Sequence, residues 1–178
     1  MLRFLAAFFL LLAALAPTAA LARVTIAFHS FNGSYFGGRY PHAFIVLEGT
    51  LDASGQRVHE NYGYSTSASA LSALAGNVPG VIQVEKEKYI TSTNVHFTIP
   101  ISDATYHAVV AEVNAWRDGP GQKRYSLDSR NCIHFIARIA LMVGLKGTDV
   151  PQKLVRRPKV YLNLVTRLNP QLAAKEVK

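Results

Sequence analysis

Tyr125-Ser126-Leu127-Asp128-Ser129-Arg130-Asn131-Cys132-Ile133-His134-Phe135 is the stretch on which the fold reading turns, because a polar segment gives way there to an apolar one around the chain's one cysteine. Asp128 and Ser129 are N-cap residue types, and Phe135, Ile136, Ile139, Ala140 and Val143 recur at helical spacing until Gly144 supplies a stop signal. The pattern predicts a helix with Cys132 in its first turn. Unpaired backbone N–H groups and the positive end of the helix dipole favour a thiolate at that place, and the thiolate is the nucleophile. Arg130 is expected to push the same way. The alternative is a small buried hydrophobe, since free cysteine is among the most buried residue types. A lone cysteine makes no intramolecular disulfide, so thiol chemistry and burial are the two roles to weigh.

Working outward, the N-terminus sets the expected compartment. Met1-Leu2-Arg3 carries a positive charge, Phe4 to Leu15 is an uninterrupted apolar run, and Ala20-Leu21-Ala22 is a small-x-small cleavage site. These are the three parts of a secretory signal peptide over residues 1–22, with Arg23 starting the mature chain in the periplasm or outside the cell. The apolar run is shorter than the roughly 20 residues of a membrane span, and Val160 to Leu168 is broken by Asn163 and Arg167, so no transmembrane anchor is expected in the mature chain.

The mature segment, 23–178, is long enough for a single domain with a proper core. Its 18 Lys and Arg against 11 Asp and Glu leave a charge of +7, which favours anionic partners such as an envelope surface. Nucleic acid is not the expected partner. The basic residues are scattered, and Lys153, Arg156, Arg157 and Lys159 lie in a Pro-flanked C-terminal tail from about residue 148, where they read as a solvated face.

Strands come first and helices late. Val24 to Phe28 reads as a strand running into the Gly-rich loop Asn32 to Arg39, which lacks the Lys-Ser/Thr ending of a phosphate loop. Ala43 to Leu47 and Arg57 to Tyr64 read as a hairpin about the turn Leu51 to Gln56. Ser67 to Leu74 reads as a short helix, and Gly80 to Lys88 and Asn94 to Ile99 as strands. Ser102-Asp103 cap a helix whose Tyr106, Val109, Val110, Val113 and Trp116 form one apolar face, and Val160 to Leu168 is a final amphipathic segment. The mixture predicts an α+β domain in which an antiparallel sheet packs against helices.

A thiol nucleophile needs a base, and there are six histidines. His134 follows Cys132 by two residues, about 200 degrees around a helix, so it is a poor partner. His29, His96 and His107 fit ordinary structural or surface roles. His42 starts a buried strand beside the Gly-rich loop and is the candidate base. With the hairpin turn centred near Ala53-Ser54, paired positions sum to about 107, so His42, Phe44 and Val46 share a face with His59, Asn61 and Gly63. Asn61 and His59 are then candidate orienters of the imidazole. A one-residue slip offers Glu60 and Tyr62 instead.

The segment from Tyr125 to Ile136 resembles the Tyr-rich, Asn-Cys-x-His-Phe nucleophile segment of the lecithin:retinol acyltransferase-like proteins, and Pro41-His42-Ala43-Phe44-Ile45-Val46-Leu47 resembles their first catalytic-histidine strand. That group belongs to the circularly permuted branch of the NlpC-type, papain-like cysteine hydrolases, in which the histidine strands precede the cysteine helix. The resemblance covers about 95 residues and implies a nucleophile at Cys132, a base at His42 and a third polar residue on the next strand, falling on His59 or Asn61. The chain departs from the pattern where Ile133 stands in place of a usual Glu, in a longer connection between the two strands, and in having no C-terminal membrane anchor.

The expected activity is that of a secreted or periplasmic thiol hydrolase forming an acyl-enzyme on amide bonds such as those of cell-wall peptides. Alternatives are a hydrolase or acyltransferase of lipid esters or thioesters, and a non-catalytic envelope binding module on the same fold. Backbone N–H groups at the helix start hold the oxyanion, with Tyr125 and Asn131 as supporting groups. No cofactor or metal is expected, since Cys132 and His134 lack further ligands at zinc spacing.

Overall fold

The computed structural model describes residues 24–34, 40–119 and 124–178. The signal-peptide reading over 1–22, most of the Gly-rich loop and the end of the 118–121 turn lie outside the described residues.

Six strands form an antiparallel sheet: β1 (Val24–Phe31), β2 (His42–Thr50), β3 (Arg57–Thr66), β4 (Val78–Gln83), β5 (Asn94–Ile101) and β6 (Arg124–Tyr125), in the order β5-β1-β2-β3-β4-β6. The helices are α1 (Ala70–Ala75), α2 (Glu87–Ile90), α3 (Asp103–Asp118), α4 (Cys132–Met142) and α5 (Pro158–Leu168). The class is therefore α+β, as the sequence predicts.

Alternation along the strands sorts the sheet into two faces. Val24, Ile26 and Phe28 of β1, Ala43, Ile45 and Leu47 of β2, and Val58 and Tyr64 of β3 join one apolar core with Tyr106, Val109, Val113 and Trp116 of α3, with α4, and with Tyr161, Leu162 and Val165 of α5. Ile133, Phe135, Ile136 and Ile139 are completely buried there, each worth about 1.5–3 kcal/mol of transfer free energy. The opposite face carries His29, His42, Phe44, Val46 and Asn61, all buried. Residues 84–93, including α2, lie against that face: Thr93 bonds His29, the Glu85 backbone bonds Asn61, and Glu87 pairs with His59.

The hairpin register is the predicted one. Ile45 pairs with Tyr62 and Val46 with Asn61, which puts Asn61 and Gly63 on the face of His42 and Phe44. The slipped register is absent, and Glu60 instead accepts hydrogen bonds from Tyr62 and from Tyr106 of α3, both at 3.1 Å. Gly55, at φ +70°, closes the turn with a bond from its N–H to the Leu51 carbonyl. Asp103 accepts from the backbone of Asp52 and Ala53 in this turn, which ties the start of α3 to the hairpin and holds the Asp103 carboxyl below its ordinary range.

Several boundaries differ from the sequence reading, each for a local reason. The cap of α4 is Asn131, whose side chain accepts from the N–H groups of Ile133 and His134, so the helix starts at Cys132 itself. Asp128 pairs with Arg156, both bonds at 2.9 Å, and Ser129 bonds Ser126. The strand expected over Gly80 to Lys88 leaves the ladder after Gln83, because the Asn61 side chain takes both the N–H and the C=O of Glu85. Strand β1 runs on to Phe31, its polar end stitched by a 2.8 Å bond between Ser30 and His96. The two-residue β6, paired with Val78 and Pro79, carries too little pattern to be read from sequence. The expected basic tail packs through Leu154, Val155, Tyr161 and Leu162. Among the described residues no helix is long and apolar enough to cross a membrane.

Candidate functional site

The helix start that bears Cys132 is built by Asn131. Its Oδ1 caps two N–H groups, and its Nδ2 donates at 2.6 Å to the carbonyls of both Leu127 and Val155, joining the preceding turn to the segment before α5. Both Nδ2 hydrogens are thus engaged in holding the loop. Asn131 supports the nucleophile segment through these bonds, and its Nδ2 is not placed as an oxyanion donor. The Ser126–Arg130 bridge tightens the same turn.

Arg130 takes a role the sequence did not reveal. Its guanidinium lies 3.7 Å from the centre of the Trp116 ring and 5.5 Å from that of Tyr64. Tyr64, Trp116, Phe135 and Tyr125 form a chain of ring contacts at 4.8–5.8 Å, each worth roughly 0.5–1.5 kcal/mol beyond area burial. The cation clamps the loop before Cys132 onto α3, and it is not among the groups that act on the thiol.

Cys132 is a free thiol, 4 % exposed. Burial pushes its pKa up to about 11, while the backbone of Ala43, Ile133 and Cys132 itself pulls the other way. Desolvation therefore outweighs the helix terminus, and the expected low-pKa thiolate is a neutral thiol at pH 7. The contribution from Ala43 sets the sulfur against the backbone of the residue that follows His42. Helix α4 packs on β2 and β3, which brings these two places of the chain together.

His42, 7 % exposed, stacks on Phe44 with ring centres 6.1 Å apart, and Phe44 stacks in turn on His29 at 5.1 Å. The ring lies over Gly63: a Cβ at that position would fall 2.9 Å from Cε1 and closer still to Nε2. Nε2 faces Glu85, with Oε1 at 4.0 Å and the Glu85 side chain 3 % exposed. Sequence reasoning misses Glu85 because it falls inside Gly80 to Lys88, which reads as an ordinary strand. The one available signal was its place opposite Asn61 by extension of the β3–β4 register, in which Gly63 pairs with Gln83.

The structure separates the two expected orienters. Asn61 is buried beside the site, but its amide bonds the Glu85 backbone, donating from Nδ2 to the carbonyl at 3.1 Å and accepting from the N–H at 2.6 Å. His59 is 64 % exposed and bridges Glu48 and Glu87 at 3.2 and 3.3 Å. It pairs with Glu48, six residues along β2 from His42, or about 20 Å at strand rise. His134 uses Nδ1 within the cap of α4, as the helical angle requires.

His42 and Glu85 line a cleft of about 140 Å³ together with Tyr40, Pro41, Ser65, Thr66, Gln83 and Tyr125. Cys132 is buried and is not one of the cleft-lining residues. Tyr125 is brought to this cleft, with its ring packed on Tyr64. Among the described residues no group of His, Cys, Asp and Glu is placed to hold a metal ion. The arrangement offers an imidazole and a carboxylate on one small polar cleft, and a buried thiol outside its lining.

No family model, curated protein or solved structure matches the chain.

Proposed function

We propose that the protein is an exported cysteine-dependent acyl hydrolase on a circularly permuted papain-like (NlpC-type) fold, acting on amide bonds such as those of cell-wall peptides. The observation that carries the reading is the position of Cys132 as the first residue of α4, against the backbone of Ala43, the residue that follows His42 in β2. A neutral, buried thiol has little nucleophilicity alone, which makes a neighbouring base a requirement.

In this mechanism Cys132 gives its Sγ proton to His42, and the sulfur attacks the substrate carbonyl. His42 then protonates the departing amine as the carbon–nitrogen bond breaks, leaving a thioester on Cys132. Water, deprotonated by His42, attacks that thioester, and the thiol leaves as it regains its proton. Since Nε2 faces Glu85, Nδ1 is the ring atom that serves the sulfur. The Cys132 N–H and the Tyr125 hydroxyl stabilise the oxyanion. An ester or thioester of a lipid would follow the same steps with an alkoxide or thiolate leaving group.

One observation favours a second reading, a non-catalytic envelope binding module: the thiol is buried and held neutral. Mass spectrometry separates the two. The protein is incubated with a panel of peptide amides, activated esters and thioesters, and the adduct on Cys132 is sought after acid quench. An acyl adduct absent from Cys132→Ala, with similar activity losses in Cys132→Ala, His42→Ala and the double variant, supports the hydrolase. No adduct and no turnover with any member replaces it with the binding module, and activity that survives Cys132→Ala refutes the thiol as nucleophile.

A further inference from the structure

Glu85 stands just past the end of β4, where an ordinary strand end would turn its carboxylate to water. Instead its side chain is 3 % exposed, and the chain around it is fastened at both ends. Asn61 holds the backbone N–H and C=O of Glu85 in the manner of a strand partner, and Gln83 donates from Nε2 to Oε1 at 2.7 Å. A buried carboxylate is costly, by several kcal/mol after relaxation, and such groups persist where they face a partner of opposite or switchable charge. Here the facing group is the His42 imidazole, with Nε2 4.0 Å from Oε1. Catalytic hydrogen bonds are often this long in unliganded sites, and a small torsion of the carboxylate shortens the gap. Gly63 contributes by leaving the space in which the ring lies.

We infer that Glu85, fixed by Asn61 and Gln83, is the positioning residue of the site: it accepts the Nε2 proton of His42 and so turns Nδ1 toward Cys132 as the basic atom. This rests on the reading of His42 as the base. It assigns the third position to a carboxylate supplied from beyond β4, and it makes Asn61 the holder of that carboxylate rather than a direct partner of the imidazole. When His42 takes the thiol proton, the imidazolium forms beside a fixed negative charge. That charge stabilises the ion pair which the buried thiol cannot reach alone.

The test is the ring nitrogen-15 spectrum of His42 in the intact chain at neutral pH, assigned with His42→Gln, together with the rate at which iodoacetamide alkylates Cys132. The wild-type ring should carry its proton on Nε2. Glu85→Ala should lose that tautomer and slow alkylation by roughly tenfold or more. Glu85→Gln, which keeps an acceptor oxygen of the same shape, should restore the tautomer while recovering only part of the rate, because the charge is gone. A neutral wild-type ring protonated on Nδ1 overturns the proposal without any variant, as does an unchanged tautomer in a folded Glu85→Ala. Unchanged alkylation in His42→Ala would instead refute the base assignment, and the tautomer measurement would still report on Glu85.

Discussion

Gly63→Ala is the sharpest perturbation of this site, because one methyl group is added at the place where the His42 ring rests. The new Cβ would stand 2.9 Å from Cε1, closer to Nε2, and 3.0 Å from the Phe44 Cβ. Carbon atoms settle at about 3.5–4.0 Å, so the ring must retreat by about 1 Å. The His42 ring is stacked on Phe44, and Phe44 is itself buried against His29, which leaves little room for a lateral slip. A misplacement of about 1 Å costs on the order of 100-fold in a positioned reaction, or about 2.7 kcal/mol of barrier. Stability should change less, since overpacking costs about 1–3 kcal/mol and alanine recovers about 0.5–1 kcal/mol over glycine in a strand. The assay pairs urea unfolding with the iodoacetamide rate at Cys132, and with turnover of whichever panel substrate yields an adduct. A folded Gly63→Ala that retains the wild-type rate would show that the His42 ring position does not govern the thiol.

Two further outcomes are expected. Burial holds the His29 and His96 imidazoles at about 4, with Asn163 opposing the effect on His96 and His29 and Lys159 adding to it, whereas the unfolded chain protonates them near 6.5. Their contribution is present above about pH 6.5 and is lost as pH falls through 4, on the order of 3 kcal/mol each. Urea midpoints should therefore drop across that window, and less steeply in a His29→Gln, His96→Gln double variant. Asn131→Ala removes the cap of α4 and strands the Leu127 and Val155 carbonyls, so it should cost about 2–4 kcal/mol in the same unfolding assay and release the loop before Cys132. A loss under 1 kcal/mol would mean that water replaces those bonds readily.

Local pattern and chain order were enough to determine the α+β class, a helix with Cys132 in its first turn, the hairpin register and the face shared by His42, Asn61 and Gly63. Each depends on a period of 2 or 3.6 or on turn length, which neighbouring residues impose on one another. Only the tertiary structure decided what stands next to these groups. Glu85 reaches His42 because Asn61, 24 residues earlier, captures its backbone, a pairing that no periodicity encodes. Arg130 sits two residues before Cys132 yet acts on Trp116, since an aromatic face on α3 lies where the guanidinium points. The charge state of Cys132 was reversed for the same reason: a helix start favours the thiolate locally, but the core packed over it removes water, and desolvation of a buried charge exceeds the pull of a helix terminus.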